Sequence, residues 1–419
     1  MFLASVFSVH TSHSNENEFN DVESNSSTTR WRNLLAFWIL GLCNNYGYVV
    51  VLTAAHDILA SRFGTNDHDK TNSSITNATT DSRGCNAVST GAILLADIVP
   101  CLLVKLMVPF LPFFVHVRLT TCVLCSIAGF LAVSLGETQW ITIFGVVLTS
   151  VSSGLGEVSI VSYSHKFGKE SIASWSSGTG GAGIIGAFSY AGLTMIMSSE
   201  TALLAMLIIP VIQAIAFWLL MVHPAEQPIV KYGIDSQEEI VKMPKKTIPE
   251  KFQLLPKLLV YLLPLGLVYF FEYFINMGLY ELIQFDGIWL NHSEQYRWLQ
   301  VDYQIGVFIS RSSATFITFK KVWVMAILQG LNVILFSTEA IFFYIPNIWI
   351  VFVVTFWEGL LGGGAYVNTF YSMLQTIPAE DLKDSLGIVT MADSLGITLA
   401  GWTAMEAHAA ICKLPRPIR

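Results

Sequence analysis

The sequence predicts an all-α membrane protein that crosses the bilayer about eleven times, with its helices in two bundles. Of its 419 residues, 53% are hydrophobic and only 13% are charged, whereas soluble proteins carry roughly 25% charged residues. The mean hydropathy is +0.56. Apolar stretches of about 20 residues, the length that spans a bilayer as a helix, recur along the chain. The net charge is −7 and no basic block is present, so nucleic acid is not expected as a partner.

Residues 1–32 are predicted to be a disordered cytosolic tail. The opening stretch MFLASVFSVH has no basic flank before it and no clear cleavage site, so it does not match a signal peptide. The polar run TSHSNENEFNDVESNSSTTR follows it and has too few apolar residues to form a core. The first span is therefore expected to begin after Trp31 and Arg32.

Hydropathy in windows of about 19 residues predicts the spans to within a few residues. Six spans form an N-terminal bundle over 33–222, and about five form a C-terminal bundle over 255–412, before a tail at 413–419. The polar stretch 223–254 is the cytosolic linker between them. The eighth span carries Arg297, Asp302 and Arg311, so a short or broken helix is an alternative there. The spans are 33–57, 88–112, 118–136, 139–165, 173–197, 201–222, 255–283, 298–318, 322–344, 346–373 and 385–411.

Loop charges and glycosylation sequons agree on a cytosolic N-terminus. With that orientation most Lys and Arg residues of the loops are cytosolic, as the positive-inside rule requires. Sequons at Asn72 and Asn77 then fall in a lumenal loop, 59–86, and a third at Asn291 falls in another, so glycosylation is predicted at these sites. A sequon at Asn25 is cytosolic and should stay unused. The basic tail KLPRPIR is left in the lumen, against the charge rule.

The stretch SSGTGGAGIIGAFSYAG contains a G-x-G-x-x-G pattern that is typical of dinucleotide-binding turns. Such a turn follows a strand and precedes an acidic residue on a second strand. Here the preceding KFGKESIASW has no strand pattern, and the stretch continues as an apolar helix. Small residues let membrane helices approach closely. We therefore predict helix packing at Gly178, Gly180, Gly183 and Gly186, with a helix that slides or bends as the sharper alternative.

A second glycine cluster suggests an internal repeat. The tenth span carries GLLGGGAYVNTFY and the fourth carries SSGLGEVSIVSY, and in both a polar face follows the glycines. A parallel repeat of six-helix halves would place these two spans six apart. Helix packing is predicted at Gly362, Gly363 and Gly364.

Polar residues inside the spans predict a pathway for substrate or protons, because they are costly in a bilayer and usually face a cavity or a partner. Glu157 and Glu272 are the best proton carriers, since burial favours a protonated carboxyl group. Arg311 suits an anionic substrate, and a snorkelling side chain at the interface is its alternative. Asp97 and Lys105 share a helix face, with ion pairs to neighbouring helices as the alternative. The candidates are Asn45, Asp97, Lys105, Glu157, Glu272, Asn276, Arg311, Glu358 and Asn368, and Asp393 is a further ionisable group in a span.

No catalytic pattern accompanies these residues. The sequence shows no nucleophile with a neighbouring base, no zinc signature and no phosphate-binding loop. The six cysteines are scattered, and their spacing predicts neither a disulfide framework nor a metal site. We expect a protein that is not an enzyme, with no cofactor and no metal.

Long motifs resemble the battenin family of lysosomal membrane proteins. They run in order from about residue 32 to 411 and include RNLLAFWILGLCNNYGYVVVLTAAHDIL, STGAILLADIVP, WSSGTGGAG, EYFINMGLYEL and EGLLGGGAYVNTF. The resemblance implies a late endosomal or lysosomal protein, distantly similar to the major facilitator superfamily, with roles in lysosomal pH, autophagy and protein catabolism. It also implies export of glycerophosphodiesters, anions that Arg311 or Lys105 would balance. A non-transporting scaffold that regulates endolysosomal trafficking through partner proteins is the alternative.

Two family features bear on sorting and anchoring. The family carries a dileucine sorting signal in the central cytosolic loop, and EKFQLL places Glu250, Leu254 and Leu255 at that spacing. The alternative is that these leucines only begin the seventh span. Family members can end in a prenylation box, but Cys412 is followed by KLPRPIR, so a prenyl anchor is not expected.

Overall fold

The computed structural model describes residues 16–62, 90–224, 229–232, 238–241, 246–290, 292–314 and 316–417. These residues are mainly helical, with one antiparallel two-stranded ribbon, so the predicted all-α class is confirmed. The strands are β1 (Ile229–Tyr232) and β2 (Glu238–Val241), paired from Ile229–Val241 to Tyr232–Glu238. The helices are α1 (Glu16–Arg62), α2 (Thr90–Met107), α3 (Val115–Leu135), α4 (Gln139–Tyr163), α5 (Lys169–Thr194), α6 (Ser199–Ala205), α7 (Ile208–Ile215), α8 (Ile248–Phe252), α9 (Leu255–Phe274), α10 (His292–Ser312), α11 (Val322–Phe342), α12 (Ile348–Thr376), α13 (Ala379–Val389) and α14 (Met391–Cys412).

The first helix is longer than the sequence predicted. It begins at Glu16, so residues 16–32, predicted as disordered, are helical in the structure. Extending an existing helix avoids the cost of nucleation, and a polar stretch can therefore continue the apolar helix beside it. Residues 1–15 lie outside the described ranges.

Each predicted span falls largely on helix. The sixth corresponds to α6, α7 and a π-helical turn at Ala216–Leu220, and the weak eighth is the continuous helix α10. Among the described residues, seven helical segments are long and apolar enough to cross a membrane, and the count of eleven crossings stays a prediction. The seven are Val115–Leu135, Trp140–Lys166, Ser199–Leu220, Leu255–Leu282, Val322–Phe342, Ile348–Thr376 and Ala379–Cys412.

The helices pack in two groups that meet along two seams. In the first group, which we call the N half (α1–α7), α1 packs on α5, and α4 packs on α2 and α3. In the second, the C half (α9–α14), α10 packs on α12, and α9 packs on α11 and α14. The halves meet where α5 contacts α10 and where α2 contacts α14. Both seams lie where polar side chains of the two halves come together.

The glycines of α5 allow two close approaches. A side-chain carbon at Gly178 would overlap the carbonyl oxygen of Trp38 in α1. On a different side of α5, a carbon at Gly180 would lie 3.0 Å from Phe308 Cα of α10, and one at Gly183 would overlap the Gln304 side chain. Small residues thus bring α5 near α1 within the N half and near α10 across the seam.

The connections between helices define the two ends of the molecule. The linker face carries residues 108–114, 164–168, 221–224, 246–254, 316–321 and 377–378. The opposite face carries 136–138, 195–198, 283–290, 343–347 and 413–417. In the predicted orientation, the linker face is cytosolic and the opposite face is lumenal.

Candidate functional site

A lysine between two carboxylates lies buried where α2, α4 and α14 meet. The Nζ of Lys105 is 2.5 Å from Glu157 Oε2 and 2.9 Å from Asp393 Oδ1. All three residues are buried. Lys105 and Glu157 belong to the N half and Asp393 to the C half, so the ion pairs join the halves. Buried charges need such partners, because an unpaired ion in the interior is strongly destabilising.

The ion pairs of Lys105 match the alternative given in the sequence analysis, in which it pairs with residues of neighbouring helices. It pairs with neighbouring helices and not with Asp97, two turns away on α2. Asp97 is buried, and its backbone carbonyl accepts a hydrogen bond from Ser150. Its carboxylate oxygens have no hydrogen-bond partner among the described residues.

Tyr366 of α12 connects the ion pairs to a second cation. Its hydroxyl donates to Glu157 Oε1 at 2.6 Å and accepts from the indole Nε1 of Trp175 at 3.3 Å. The guanidinium of Arg311 lies 4.5 Å from the centre of the Tyr366 ring. A cation over an aromatic face is attracted by the ring quadrupole. Tyr366 therefore touches both charged centres and contacts both halves.

Arg311 is a buried cation whose hydrogen-bond partners are neutral and which also attracts the carboxylate of Glu272. Its Nη1 donates to Thr179 Oγ1 at 2.6 Å, across the α5–α10 seam, and its Nη2 donates to the Tyr269 hydroxyl at 2.7 Å. The side chain is 9% exposed, so it does not snorkel to the surface. Its Nε has no hydrogen-bond partner among the described residues. We call the connected set the junction network, which comprises Lys105, Glu157, Trp175, Thr179, Tyr269, Arg311, Tyr366 and Asp393.

Glu272 lies beside this network, in space that a glycine provides. Tyr303 donates a hydrogen bond to its Oε1, and its Oε2 has no hydrogen-bond partner among the described residues. A side-chain carbon at Gly362 would overlap the Glu272 carboxyl group, and one at Gly363 would overlap α10. At Gly364 such a carbon would lie 3.3 Å from a methionine methyl group of α11. These glycines therefore make room for a carboxylate as well as for helix packing.

Other predicted residues lie apart from the junction network. Glu358 is buried in the C half, where its Oε2 accepts from the Tyr280 hydroxyl at 2.5 Å. Asn276 is buried in a π-helical turn after α9, and its backbone carbonyl accepts from Gln300 at 3.2 Å. These two residues bring polar groups between C-half helices.

Two predicted asparagines have different surroundings. Asn368 donates to the Gly364 carbonyl at 2.8 Å and accepts from the Phe319 backbone N–H at 2.6 Å, so it fixes the connection before α11. Asn45 is half-buried in α1. The structure therefore gathers Lys105, Glu157 and Arg311 in one network but leaves these asparagines outside it.

The network also contains residues that the sequence analysis did not single out. Tyr269, Tyr366, Thr179 and Trp175 supply most of its neutral hydrogen bonds. A buried tyrosine hydroxyl usually finds a hydrogen-bond partner. Tyr269 lies one turn before the predicted Glu272, and that spacing was the available signal.

Two cavities of the described chain lie outside the network. One lies at the linker face, is small and partly open to solvent, and is lined partly by Arg118, Lys251 and Lys383. The other lies along the α5–α10 seam, is also small and partly open, and is lined partly by Gly183 and Gln304. The network residues themselves are packed, with at most 9% of any one exposed.

The predicted sorting motif forms the entrance to α9. The Glu250 carboxylate accepts from the Thr247 backbone N–H at 2.7 Å and caps α8. This hydrogen bond lowers the pKa of Glu250 below its usual value. Leu254 is buried in the core, and the partly buried Leu255 packs against it. This arrangement favours the alternative, in which the leucines begin the helix.

The glycosylation sites stay predictions, and one cysteine corrects the sequence analysis. Asn72, Asn77 and Asn291 lie outside the described residues. The spacing of the cysteines predicted no disulfide framework, but Cys412 is disulfide-bonded, so that prediction was wrong for this residue. A disulfide needs two cysteines close in space, which their separation along the sequence does not reveal.

The fold defines the class of structure: a helical membrane protein whose architecture is similar to that of solved membrane transporters. The human organic anion transporter MFSD10 superimposes with a TM-score of 0.61 at 12% identity, covering 92% of this chain and 94% of that one. The proton:xylose symporter XylE gives a TM-score of 0.56 at 12% identity, covering 90% and 88%. A bacterial homologue of the human lysosomal transporter Spinster gives 0.51 at 15% identity, covering 91% and 82%. At these identities the likeness shows the fold.

Sequence comparison identifies the family. The family model for CLN3 protein matches residues 35–243 and 230–414. Battenin from Canis lupus familiaris is 40% identical over 409 residues, which cover 92% of each chain. Protein btn-1 from Neurospora crassa is 33% identical over 435 residues, which cover 90% of this chain and 88% of the fungal one. The chain belongs to the CLN3 (battenin) family, and this family and fold confirm the prediction that it is not an enzyme.

Proposed function

We propose that the protein is a carrier of the lysosomal or late endosomal membrane that exports small anionic solutes of the glycerophosphodiester class. The solute would pass the junction network by alternating access. The observation that carries the proposal is the network itself, in which buried polar groups of both halves bond to one another. Transporters built from two repeated halves bind their substrate near the bilayer midplane, where the halves meet.

The charges of the network favour an anion at Arg311. Lys105 already faces two carboxylates, whereas the hydrogen-bond and ring partners of Arg311 are neutral and its described electrostatic carboxylate partner is the single residue Glu272. A guanidinium can hold two phosphate oxygens at once through its planar fork of donors. The hydroxyls of Thr179 and Tyr269 are further donors to an anion. A phosphodiester would therefore meet one positive charge and several donors.

The carboxylates of the site favour coupling to protons. Glu157 and Asp393 share one lysine, so one negative charge of this group is not balanced by Lys105. Glu272 carries an oxygen with no hydrogen-bond partner among the described residues. A proton on one of these groups would reduce the buried charge. Proton-coupled export would connect the protein with lysosomal pH, and solute efflux would connect it with autophagy and protein catabolism.

The opposite face carries features that suit the lumen. Cys412 is disulfide-bonded there, and disulfides persist in oxidising compartments. Arg416 of the C-terminal tail is 2.5 Å from Asp286, so a basic residue that disagreed with the charge rule has a local partner. Both observations support a lumenal C-terminus and, with an odd number of spans, a cytosolic N-terminus.

Flux through reconstituted vesicles tests the proposal. Vesicles with the purified protein should move labelled glycerophosphocholine faster than empty vesicles, and a pH gradient should increase the rate. Arg311→Gln should reduce flux at least tenfold, because it removes a charge-assisted contact with the anion. The matched control is Arg297→Gln, an exposed arginine of the same helix, which should keep wild-type flux. Folded wild-type protein that moves no glycerophosphodiester would sink the proposal.

The linker supports a second candidate, a regulator of endolysosomal trafficking. Its ribbon β1–β2 has only two strands, and an unpaired strand edge can pair with another chain. Cells that lack the protein can be complemented with Arg311→Gln or with a chain in which a flexible sequence replaces residues 225–245. Loss of rescue only with Arg311→Gln favours the carrier, and loss only with the altered linker favours the regulator.

A further inference from the structure

A second polar site lies at the linker face, just beyond the end of α2. The connection between α2 and α3 closes there against α4, α8 and α13, around the small cavity at this face, which is partly open to solvent. Arg118 and Ser162 line it from the N half, Lys383 lines it from the C half, and Lys251 reaches it from the linker. All three parts of the chain therefore contribute to one site.

Positive charge dominates this cavity. Its lining holds Arg118, Lys251 and Lys383 against a single carboxylate, Asp384. Lys251 forms an ion pair with that carboxylate, with its Nζ 3.1 Å from Asp384 Oδ1, and it also donates a hydrogen bond to the Pro109 carbonyl at 2.7 Å. Asp384 also attracts Lys383, so three cations of the lining share one carboxylate.

The hydrogen-bond and ring partners of the other two cations are neutral. Arg118 donates from Nη2 to three backbone carbonyls, those of Val108, Leu111 and Pro112, at 2.8, 3.0 and 3.1 Å. Lys383 Nζ lies 4.8 Å from the centre of the Phe113 ring, and the guanidinium of Arg118 lies 5.0 Å from the same ring centre. These contacts orient the cations and add no negative charge, so the lining keeps an excess of positive charge over its one carboxylate.

Partly buried cations of one sign repel one another and are stabilised when an anion arrives. Phosphate suits the groups present, because its oxygens accept from ammonium, guanidinium and hydroxyl donors. Basic pockets between membrane helices at a membrane surface are binding sites for lipid phosphates. The chemistry of the cavity thus selects a phosphate group.

The rim of the cavity indicates where the phosphate comes from. Leu111 lines the cavity and is 54% exposed, and Phe114 and Val117 beside it are 59% and 64% exposed. Such apolar side chains next to a membrane span face acyl chains more favourably than water. A phosphate carried on a lipid would place its tails along these residues and its headgroup among the cations.

We propose that this cavity binds the phosphomonoester headgroup of a membrane lipid, and that the bound headgroup holds the two halves together at the linker face. A ligand that contacts both halves binds best when they are close and therefore shifts the population toward that conformation. The site is separate from the junction network and does not depend on the transported solute.

Thermal unfolding of the purified full-length protein tests the site with three probes: dioctanoyl phosphatidylinositol 4-phosphate, dioctanoyl phosphatidylcholine and inorganic phosphate. The phosphoinositide should raise the Tm of the wild type in a saturable manner, and the other two should not. Lys383→Gln should weaken the apparent affinity about tenfold or more, and Lys383→Arg should retain it. The matched control, Lys257→Gln, replaces an exposed lysine of the same face that does not line the cavity.

Each outcome decides a part of the proposal. No phosphoinositide stabilisation of folded wild-type protein would overturn it, and so would equal losses in Lys383→Gln and Lys257→Gln, which indicate unspecific charge attraction. Equal stabilisation by inorganic phosphate would support an anion site but overturn its assignment to a lipid. If Lys383→Gln does not fold, the three probes on the wild type and on Lys383→Arg still decide.

Discussion

Replacing Lys105 with methionine should destabilise the protein strongly. Methionine keeps much of the side-chain length but removes the charge that Glu157 and Asp393 share at 2.5 and 2.9 Å. Removing one partner of a buried ion pair costs about 3–5 kcal/mol, because the remaining charge stays buried without compensation. Here two carboxylates lose their only shared cation, so we expect a loss near the upper end, about 5 kcal/mol.

Neutralising the carboxylates should reverse most of this loss. The triple variant Lys105→Met, Glu157→Gln and Asp393→Asn contains no buried charge in the group, and neutral replacements of buried ion pairs are often close to neutral in stability. Asp393→Asn alone leaves the contact of Lys105 with Glu157 and should cost about 1–3 kcal/mol. The wild type should therefore be the most stable, followed by Asp393→Asn, and Lys105→Met should be the least stable. The triple variant should be more stable than Lys105→Met.

Unfolding of the purified variants in mixed micelles, followed by circular dichroism as denaturing detergent is added, measures these free energies. Size-exclusion profiles establish that each variant starts folded. The reasoning is refuted if Lys105→Met unfolds with wild-type free energy, or if the triple variant is no more stable than Lys105→Met. Either result would mean that the three side chains do not form a buried charge group.

Three further changes test other parts of the structure. Gly178→Ala should lower the unfolding free energy by about 1–3 kcal/mol, because the new side-chain carbon overlaps the carbonyl oxygen of Trp38. The control Gly192→Ala has open space around it and should change the unfolding free energy by no more than about 0.5 kcal/mol. Equal Tm values for the two variants would contradict this. Burial lowers the pKa of His223 below its ordinary 6.5, so its stabilising contribution is present above that pH and lost as the pH falls through the folded-state pKa. His223→Gln should reduce the fall in Tm between pH 7.5 and 5.5, and an unchanged fall would count against this role. Tyr366→Phe leaves a buried carboxylate oxygen without its donor and should cost about 1–3 kcal/mol in the same micelle titration, and a wild-type midpoint would show that the bond contributes nothing.

Hydropathy was enough to predict where the helices lie, because a bilayer requires long apolar helices wherever the chain crosses it. The same reasoning failed at residues 16–32, which are polar and yet helical. The composition of this stretch does not show that the apolar helix after it can extend backwards through it. The disulfide at Cys412 was missed for a related reason. Contacts between residues far apart in the sequence leave no mark on composition.

The candidate site was predictable in its charges but not in its pairings. Lys105, Glu157 and Arg311 stand out because ionisable residues are rare inside spans. Their partners come from other helices, and a single sequence does not say which helices meet. Tyr366 was not predicted because an aromatic residue fits an apolar span. Its hydroxyl donates to Glu157, which pairs with Lys105, and its ring faces Arg311.

The central claim is that the two halves move relative to each other to carry a solute past the junction network. Pro109 of the N half and Gly387 of the C half allow a direct test, since a side-chain carbon at Gly387 would lie 3.7 Å from Pro109 Cβ. This separation suits a disulfide, whose Cβ atoms lie about 3.5–4.5 Å apart. The double variant Pro109→Cys with Gly387→Cys can therefore lock the halves at the linker face.

Glycerophosphocholine flux in vesicles that contain this double variant is the most direct measurement. The carrier account predicts that oxidation stops flux, that reduction restores it, and that neither single cysteine variant responds to oxidation. Equal flux before and after oxidation, with the cross-link verified by mass spectrometry, would contradict it.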